Sequence, residues 1–262
     1  MLAFDKYEGL GNDFIVVCVA EEHAISSELA RRICDRRRGV GADGVLLVLP
    51  ARTAGSAARM KVINADGSVP EMCGNGLRCV ALSLARSAST SLVIDTDAGP
   101  RGCEVDVVED GAANVCVDMG LVRALGSQTV ALGEASITVE VGDAGNPHAI
   151  LFGEFGRAEM DRLGRAISTH TAFPSGTNVE FATLTERGID LVVFERGVGF
   201  TEACGTGACA TVAVACVTEQ WPYSEPCEVR LPGGPLIIRV DSGGRTAMTG
   251  PARHVFQGKY AG

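Results

Sequence analysis

The sequence predicts an α+β fold built twice: two homologous lobes, each a twisted, mostly antiparallel sheet wrapped around a central apolar helix. Two observations carry this expectation. Met72-Cys73-Gly74-Asn75-Gly76 reappears as Ala203-Cys204-Gly205-Thr206-Gly207, with the cysteines 131 residues apart in a chain of 262. Further pairs then answer in the same order at offsets of 131 to 135: Gly11-Asn12-Asp13-Phe14 with Gly145-Asn146-Pro147-His148, Asp43 with Asn178, Val62 to Gly67 with Val193 to Gly197, and Gly99-Pro100 with Gly234-Pro235. Glycine is abundant enough to match once by accident, but a whole ordered series points to a duplication.

Within each half the pattern reads strands, one major helix, then strands. Phe14 to Val17 and Gly44 to Leu49 are short apolar, β-branched runs bounded by Gly and Asp, the signature of buried strands. Ser26 to Arg37 reads as a short helix with Ser27 as its cap. Arg59 to Asn64 alternates polar and apolar, as a half-buried strand does. Leu77 to Arg86 and Ala208 to Thr218 are Ala-rich and apolar around their circumference, which predicts buried helices. Glu104 to Val108 and Asn114 to Asp118 alternate around Asp110-Gly111, a hairpin signal. Arg157 to Ile167 repeats the first short helix. The linker is expected near Gly120 to Gly126, dividing the chain into lobes 1–120 and 121–262, with about the last dozen residues free to pack on the first lobe.

Composition narrows the function. The chain is 46% hydrophobic and 21% charged, the balance of a well-cored globular protein. A net charge of −9 leaves no basic face to displace phosphate counterions, so nucleic acid is not an expected partner. The first residues lack a basic start followed by an apolar stretch, and no apolar run approaches the ~20 residues of a membrane span. A cytoplasmic protein with no membrane partner is expected. None of the ten cysteines forms a Cys-x-x-Cys pair, which argues against a zinc knuckle or a thioredoxin motif. Cys18, Cys34, Cys103, Cys116, Cys216 and Cys227 read as small buried hydrophobes.

Cys73 and Cys204 are different, because each stands at a Gly-rich turn that opens an apolar helix. A helix N-terminus presents unpaired N–H groups and a partial positive charge, and glycine lets the main chain approach an anion closely. A substrate carboxylate is expected on the amides of Gly74, Asn75, Gly205 and Thr206, and the same field is expected to lower the thiol pKa. With an amino-acid Cα between the two sulfurs, one thiolate can take the α-proton while the other thiol delivers one to the opposite face. A single turn of this kind is better explained by tight helix–strand packing; two at duplicate positions reverse that preference.

These residues resemble diaminopimelate epimerase over nearly the whole chain. The likeness rests on Gly9-Leu10-Gly11-Asn12-Asp13-Phe14, Arg38-Gly39-Val40-Gly41-Ala42-Asp43-Gly44, Asn64-Ala65-Asp66-Gly67-Ser68 and Cys73-Gly74-Asn75-Gly76. It continues with Gly145-Asn146-Pro147-His148, Gly176-Thr177-Asn178-Val179, Glu195-Arg196-Gly197 and Cys204-Gly205-Thr206-Gly207. The resemblance implies Cys73 and Cys204 as the acid/base pair, interconverting LL- and meso-diaminopimelate in lysine and peptidoglycan precursor synthesis, with neither cofactor nor metal. It implies that Asn12, Asn64, Asn146, Asn178 and Arg196 hold the non-reacting end of the substrate. Glu195 would accept from the reacting ammonium and, with His148, tune the thiols. Members of the family commonly pair as homodimers. Two positions depart from the family pattern: Gly44, where some members carry glutamine, and Phe200, where others carry a polar residue. The alternatives are a two-cysteine racemase of another amino acid such as histidine, and a thiol redox or binding protein. The Asn64, Asn178 and Arg196 set favours a substrate with a second amino-acid terminus, which histidine lacks.

Overall fold

The strands form where β-branched and aromatic residues alternate, and in the computed structural model, which describes residues 1–70 and 72–262, they assemble into two compact units. One comprises Met1–Asp118 with Thr249–Gly262, the other Met119–Met248.

In the first unit β1 (Leu2–Gly9) lies between β2 (Asn12–Cys18) and the end of β16 (Arg245–Tyr260), antiparallel to both. The order continues through β3 (Gly44–Leu49), β4 (Ala58–Asn64), β5 (Thr90–Thr96), β6 (Gly99–Glu109) and β7 (Ala112–Leu121). The β2–β3 and β4–β5 pairs are parallel and the others antiparallel. In the second unit β8 (Arg123–Leu132), β9 (Ala135–Asp143), β10 (Pro147–Phe152), β11 (Asn178–Thr185), β12 (Gly188–Glu195), β14 (Cys227–Leu231) and β15 (Gly234–Val240) follow the same plan. Here β10–β11 and β12–β14 are the parallel pairs. A short β13 (Gly199–Thr201) folds back on β12. The repeated alternation of parallel and antiparallel pairs is the structural form of the sequence duplication.

Each sheet has a helix on either face. α1 (Ser27–Cys34) and α3 (Arg157–Ser168) cover one face through clusters that include Ile15, Val17, Ile33, Val45 and Leu47 in the first unit and Ala149, Leu151, Leu163, Ile167, Val179 and Phe181 in the second. Because side chains alternate along a strand, Phe14 and Leu46, or His148 and Glu180, point to the opposite face. That face holds α2 (Gly74–Ala85), packed on β1 to β6, and α4 (Gly205–Val217), packed on β8 to β11 and β15. From Gly74 to Leu82 every residue of α2 is buried, and α4 is buried from Gly205 to Cys216 except at Thr206. No helix among the described residues is long and apolar enough to cross a membrane.

Several expectations are corrected. The cap of α1 is Ser26, whose Oγ accepts from Leu29 N–H at 3.1 Å, while Ser27 donates to the Gly67 carbonyl. That helix stops at Cys34 because the Asp35 carboxylate takes the N–H groups of Arg37 and Arg38, a local turn that competes with helix continuation. α2 and α4 begin three residues before the apolar pattern does, since a capping thiol lets the helix start on glycine. The expected linker at 120–126 is strand: β7 runs to Leu121 and β8 starts at Arg123, with a bulge between Ala124 and Gly126. Cys18 is exposed where β2 leaves the sheet, and Cys116 is half-buried because it alternates with the inward Val115 and Val117.

Candidate active site

Both helices that carry the candidate thiols open in the same way. Cys73 is the N-cap of α2 in extended conformation (φ −138°, ψ 112°), and its Sγ accepts from Gly76 N–H at 3.4 Å. Cys204 caps α4 with φ −129° and ψ 103°, its Sγ accepting from Gly207 N–H at 3.4 Å. The usual capping oxygen is replaced by sulfur, so each reactive atom sits at the positive end of its helix. The first-turn amides of Gly74, Asn75, Gly205 and Thr206 flank those sulfurs.

In the first unit, the substrate-binding candidates are tied to one charged network. Asn12 donates through Nδ2 to Asp43 at 2.6 Å and accepts at Oδ1 from Asn75 Nδ2 at 3.3 Å. Asn75 in turn accepts from Arg78 Nη1 at 3.0 Å, and Arg78, fully buried on α2, donates through Nε to the Pro251 carbonyl. Asp43 also takes the N–H of Asp13 and an arm of Arg36, whose guanidinium reaches Asp13 at 2.6 Å. Buried Lys6 completes the cluster, paired with Asp13 and donating to the Gly41 carbonyl. Asn64 closes β4 and bonds Ser68 through both main chain and side chain, while α1 braces that turn with Arg31 on the Asp66 carbonyl. Burial raises the Asp13 carboxyl, but the Arg36 and Lys6 hydrogen bonds outweigh it and the net shift is downward.

The second unit surrounds Cys204 differently. His148 is wholly buried between Asn146, whose Oδ1 lies 3.1 Å from Nε2, and Glu180, whose Oε1 lies 2.6 Å from Nδ1. Glu195 pairs with Thr201, the hydroxyl donating to Oε1 at 2.7 Å, rather than with His148. Asn178 Oδ1 accepts the main-chain N–H of Arg196 at 3.0 Å, and Arg196 Nη1 donates to the Ser175 carbonyl. Burial raises the pKa of both Glu180 and Glu195. The Cys204 thiol is pushed well up, first by burial and then by Glu195 and Glu180, against weaker lowering from Thr206 and Gly207. The expected lowering by the helix field therefore does not hold at Cys204: low-dielectric surroundings and two carboxylates outweigh a partial charge.

The two departures from the family pattern are structural. A Cβ at Gly44 would come within 2.9 Å of the Ile63 carbonyl, so a side chain there would require the β4 backbone to shift. Phe200 meets Phe194 edge-on at 5.1 Å and lies under the Arg157 guanidinium, 3.5 Å from the ring centroid, which braces the turn after Glu195. Glu180, Thr201, Asp43 and Arg78 are site-shaping residues absent from the sequence expectation. A glutamate between the apolar residues Val179 and Phe181 of β11 was the available signal for Glu180.

Comparison with known proteins places this architecture. The diaminopimelate epimerase family model matches residues 4–125 and 141–255. The diaminopimelate epimerase of Desulforudis audaxviator (strain MP104C) is 42% identical over 280 residues, covering 99% of both chains. That of Gloeothece citriformis (strain PCC 7424) is 40% identical over 284 residues with 99% coverage of each. Among solved structures, a hydroxyproline epimerase from Agrobacterium vitis superposes with a TM-score of 0.75 at 16% identity, covering 98% of this chain and 90% of that one. A phenazine biosynthesis protein from Bacillus anthracis gives 0.71 at 15% identity, covering 98% of each; at such identities the likeness is one of fold. By family model, sequence and fold together, the chain belongs to the diaminopimelate epimerase family.

Proposed function

We propose that this isomerase interconverts LL- and meso-2,6-diaminopimelate in the cytoplasm by passing one proton through the α-carbon, with Cys73 and Cys204 as the acid/base pair. The observation that carries the reading is the duplicated thiol cap: two independent helices each hold a sulfur on the third helical N–H at 3.4 Å. In one direction a thiolate removes the α-proton and the opposite thiol protonates the other face; in the reverse direction the roles exchange. Charge that develops in the substrate carboxylate is met by the amides of Gly74, Asn75, Gly205 and Thr206. Glu195, fixed by Thr201, accepts from the reacting ammonium. Asn12, Asn64, Asn146, Asn178 and Arg196 hold the distal end, and each must exchange part of its present bonding for substrate.

The magnitudes require all of these together. A positioned acid or base gives about 10²–10⁴ in rate, and a single oxyanion donor is worth about 3–4 kcal/mol. An amino-acid α-carbon is too weak an acid for either alone. The test is incubation with LL-diaminopimelate in deuterium oxide, following α-deuterium and configuration, with L-histidine as control. Deuterium in both isomers of diaminopimelate supports the reading; racemised histidine with untouched diaminopimelate overturns it.

A further inference from the structure

The duplication supplies an internal control for the residues beneath each thiol. In the first unit the space next to Gly76 is closed by Leu46, whose Cδ2 lies 2.8 Å from where a Cβ at position 76 would stand. Next to Gly207 in the second unit, Glu180 Oε1 lies 2.8 Å from the corresponding point and Cys204 Sγ lies 3.2 Å from it. Leu46 and Glu180 hold equivalent places on β3 and β11, and Phe14 and His148 hold equivalent places on β2 and β10. Leu46 therefore lies next to one thiol turn and Glu180 next to the other, with buried Phe14 and His148 at equivalent places on the neighbouring strands.

Burying an ionisable pair is costly unless its polar atoms are satisfied, and this pair is only half satisfied. Glu180 Oε1 engages His148, whereas Oε2 has no hydrogen-bond partner among the described residues. The pair is also oriented. Its imidazole end turns to Asn146, and its carboxylate end faces the first turn of α4. The titratable groups facing this carboxylate are His148 from β10, Glu195 from β12 and Cys204 from α4.

We propose that Glu180 is a positioning residue for proton transfer at Cys204: paired with His148, it keeps a carboxylate beside the first turn of α4 and holds the proton on that thiol in the resting enzyme. The proposal deepens the two-thiol reading above and rests on it. The space that lets the carboxylate approach exists because residue 207 is glycine.

The experiment measures iodoacetamide alkylation of each cysteine against pH in the whole native enzyme, resolved by mass spectrometry, beside the pH profile of kcat/KM. In the unsubstituted enzyme Cys204 is alkylated only above the ordinary thiol range. Glu180→Gln lowers the Cys204 midpoint by about one pH unit, the size expected for removing a nearby like charge, and leaves the Cys73 midpoint in place. The alkaline limb of kcat/KM, which reports loss of the Cys204 proton, moves down with it, and KM changes little. Glu180→Asp restores the original profile. The paired substitution His148→Phe with Glu180→Leu copies the first unit's packing and gives the same sign, so a folding failure of Glu180→Gln does not block the measurement. A Cys204 midpoint unmoved in both variants, or both cysteines moving together, overturns the proposal. Absence of epimerisation with the Cys204 shift intact would instead overturn the assigned reaction and leave the electrostatic inference standing.

Discussion

The turns at Cys73 and Cys204 share a backbone and differ in what lies under it. Their cap dihedrals agree to within about ten degrees and their Sγ to N–H distances are equal. Beneath them, Phe14 and Leu46 in one copy stand where His148 and Glu180 stand in the other. The polar investment is also placed differently. The first unit surrounds Asn12 with an ion network of Lys6, Asp13, Arg36 and Asp43 at the strand ends, beside the thiol turn. The second sets buried Glu180 beside the first turn of α4 and Glu195 beside Cys204. Duplication thus preserved the device that holds a sulfur at a helix N-terminus, while divergence changed the strand residues that lie next to it.

The strongest challenge to functional equivalence within this structural asymmetry is removal of each thiol in turn. Cys73→Ala and Cys204→Ala are each expected to lower kcat by on the order of 10³ or more, since neither face of the carbon can be served by the other sulfur. Epimerisation followed by chiral separation reads this directly. A large loss from only one of the two would break the comparison and reduce the other cysteine to a structural cap.

Next in size is the contrast between acids held down and acids held up. Asp13 has a net lowered pKa, so its native interactions contribute stability above the ordinary carboxylate range, and this is lost as pH falls through the native value. Glu180 and Glu195 are raised by burial, so their contribution has the opposite sign: protonation favours the folded state, and stability declines as pH rises through their native values. Asp13→Asn leaves Lys6 buried without its carboxylate and is expected to cost about 3 kcal/mol near neutrality. It should also flatten the fall in melting temperature below about pH 4. An acid limb as steep as that of the parent would mean that other carboxylates carry it.

Alanine at the two equivalent glycines sharpens the comparison further. At Gly76 the new methyl meets the tip of Leu46, and at Gly207 it meets a carboxylate oxygen bound to His148 together with the Cys204 sulfur. Overpacking costs about 1–3 kcal/mol at either site, so thermal unfolding should show similar losses. Activity should not: Gly207→Ala displaces the acid and the thiol and should lower kcat several-fold beyond Gly76→Ala. Equal activities would show that the Glu180 contact is only packing.

Much of this arrangement was legible in the sequence, for identifiable reasons. The repeated Cys-Gly-x-Gly and the ordered offsets revealed the duplication, and apolar helices with β-branched strands revealed each layer. Periodicity could not mark where α2 and α4 begin, because glycine argues against helix and only the capping sulfur reverses that. Nor could it show that 120–126 is strand, since Gly120 and Gly126 read as linker while both take positive φ within or beside a bulged pair. Candidate ligands such as Asn146 and His148 were visible as residues, but their partners were not: the His148–Glu180 bond joins parallel neighbours 32 positions apart. Glu180 would have emerged had the offset of 134 that pairs Phe14 with His148 been carried to β3 and β11, where it sets Glu180 against Leu46; the offset of 135 that pairs Asp43 with Asn178 sets it against Val45.

The smallest expected effect concerns the outer helices, where the two copies differ in their caps. α1 starts after Ser26, whose backbone (φ −79°, ψ 159°) places Oγ on Leu29 N–H. α3 starts after Gly156 with nearly the same backbone (φ −72°, ψ 151°) but no side-chain cap. A Cβ at Gly156 would meet nothing within 4 Å, and its φ is open to any residue. Gly156→Ser should therefore stabilise by a few tenths of a kcal/mol through the cap and by about 0.5 kcal/mol through the reduced freedom of the unfolded chain. Ser26→Ala should cost about 1 kcal/mol. Urea midpoints at constant slope read both changes, and kcat should remain unchanged in each, because neither cap touches a thiol turn. A loss of stability in Gly156→Ser would show that the two entry turns, alike in dihedral angles, are not interchangeable, and would limit the structural equivalence of the copies to the sheet and its buried helix.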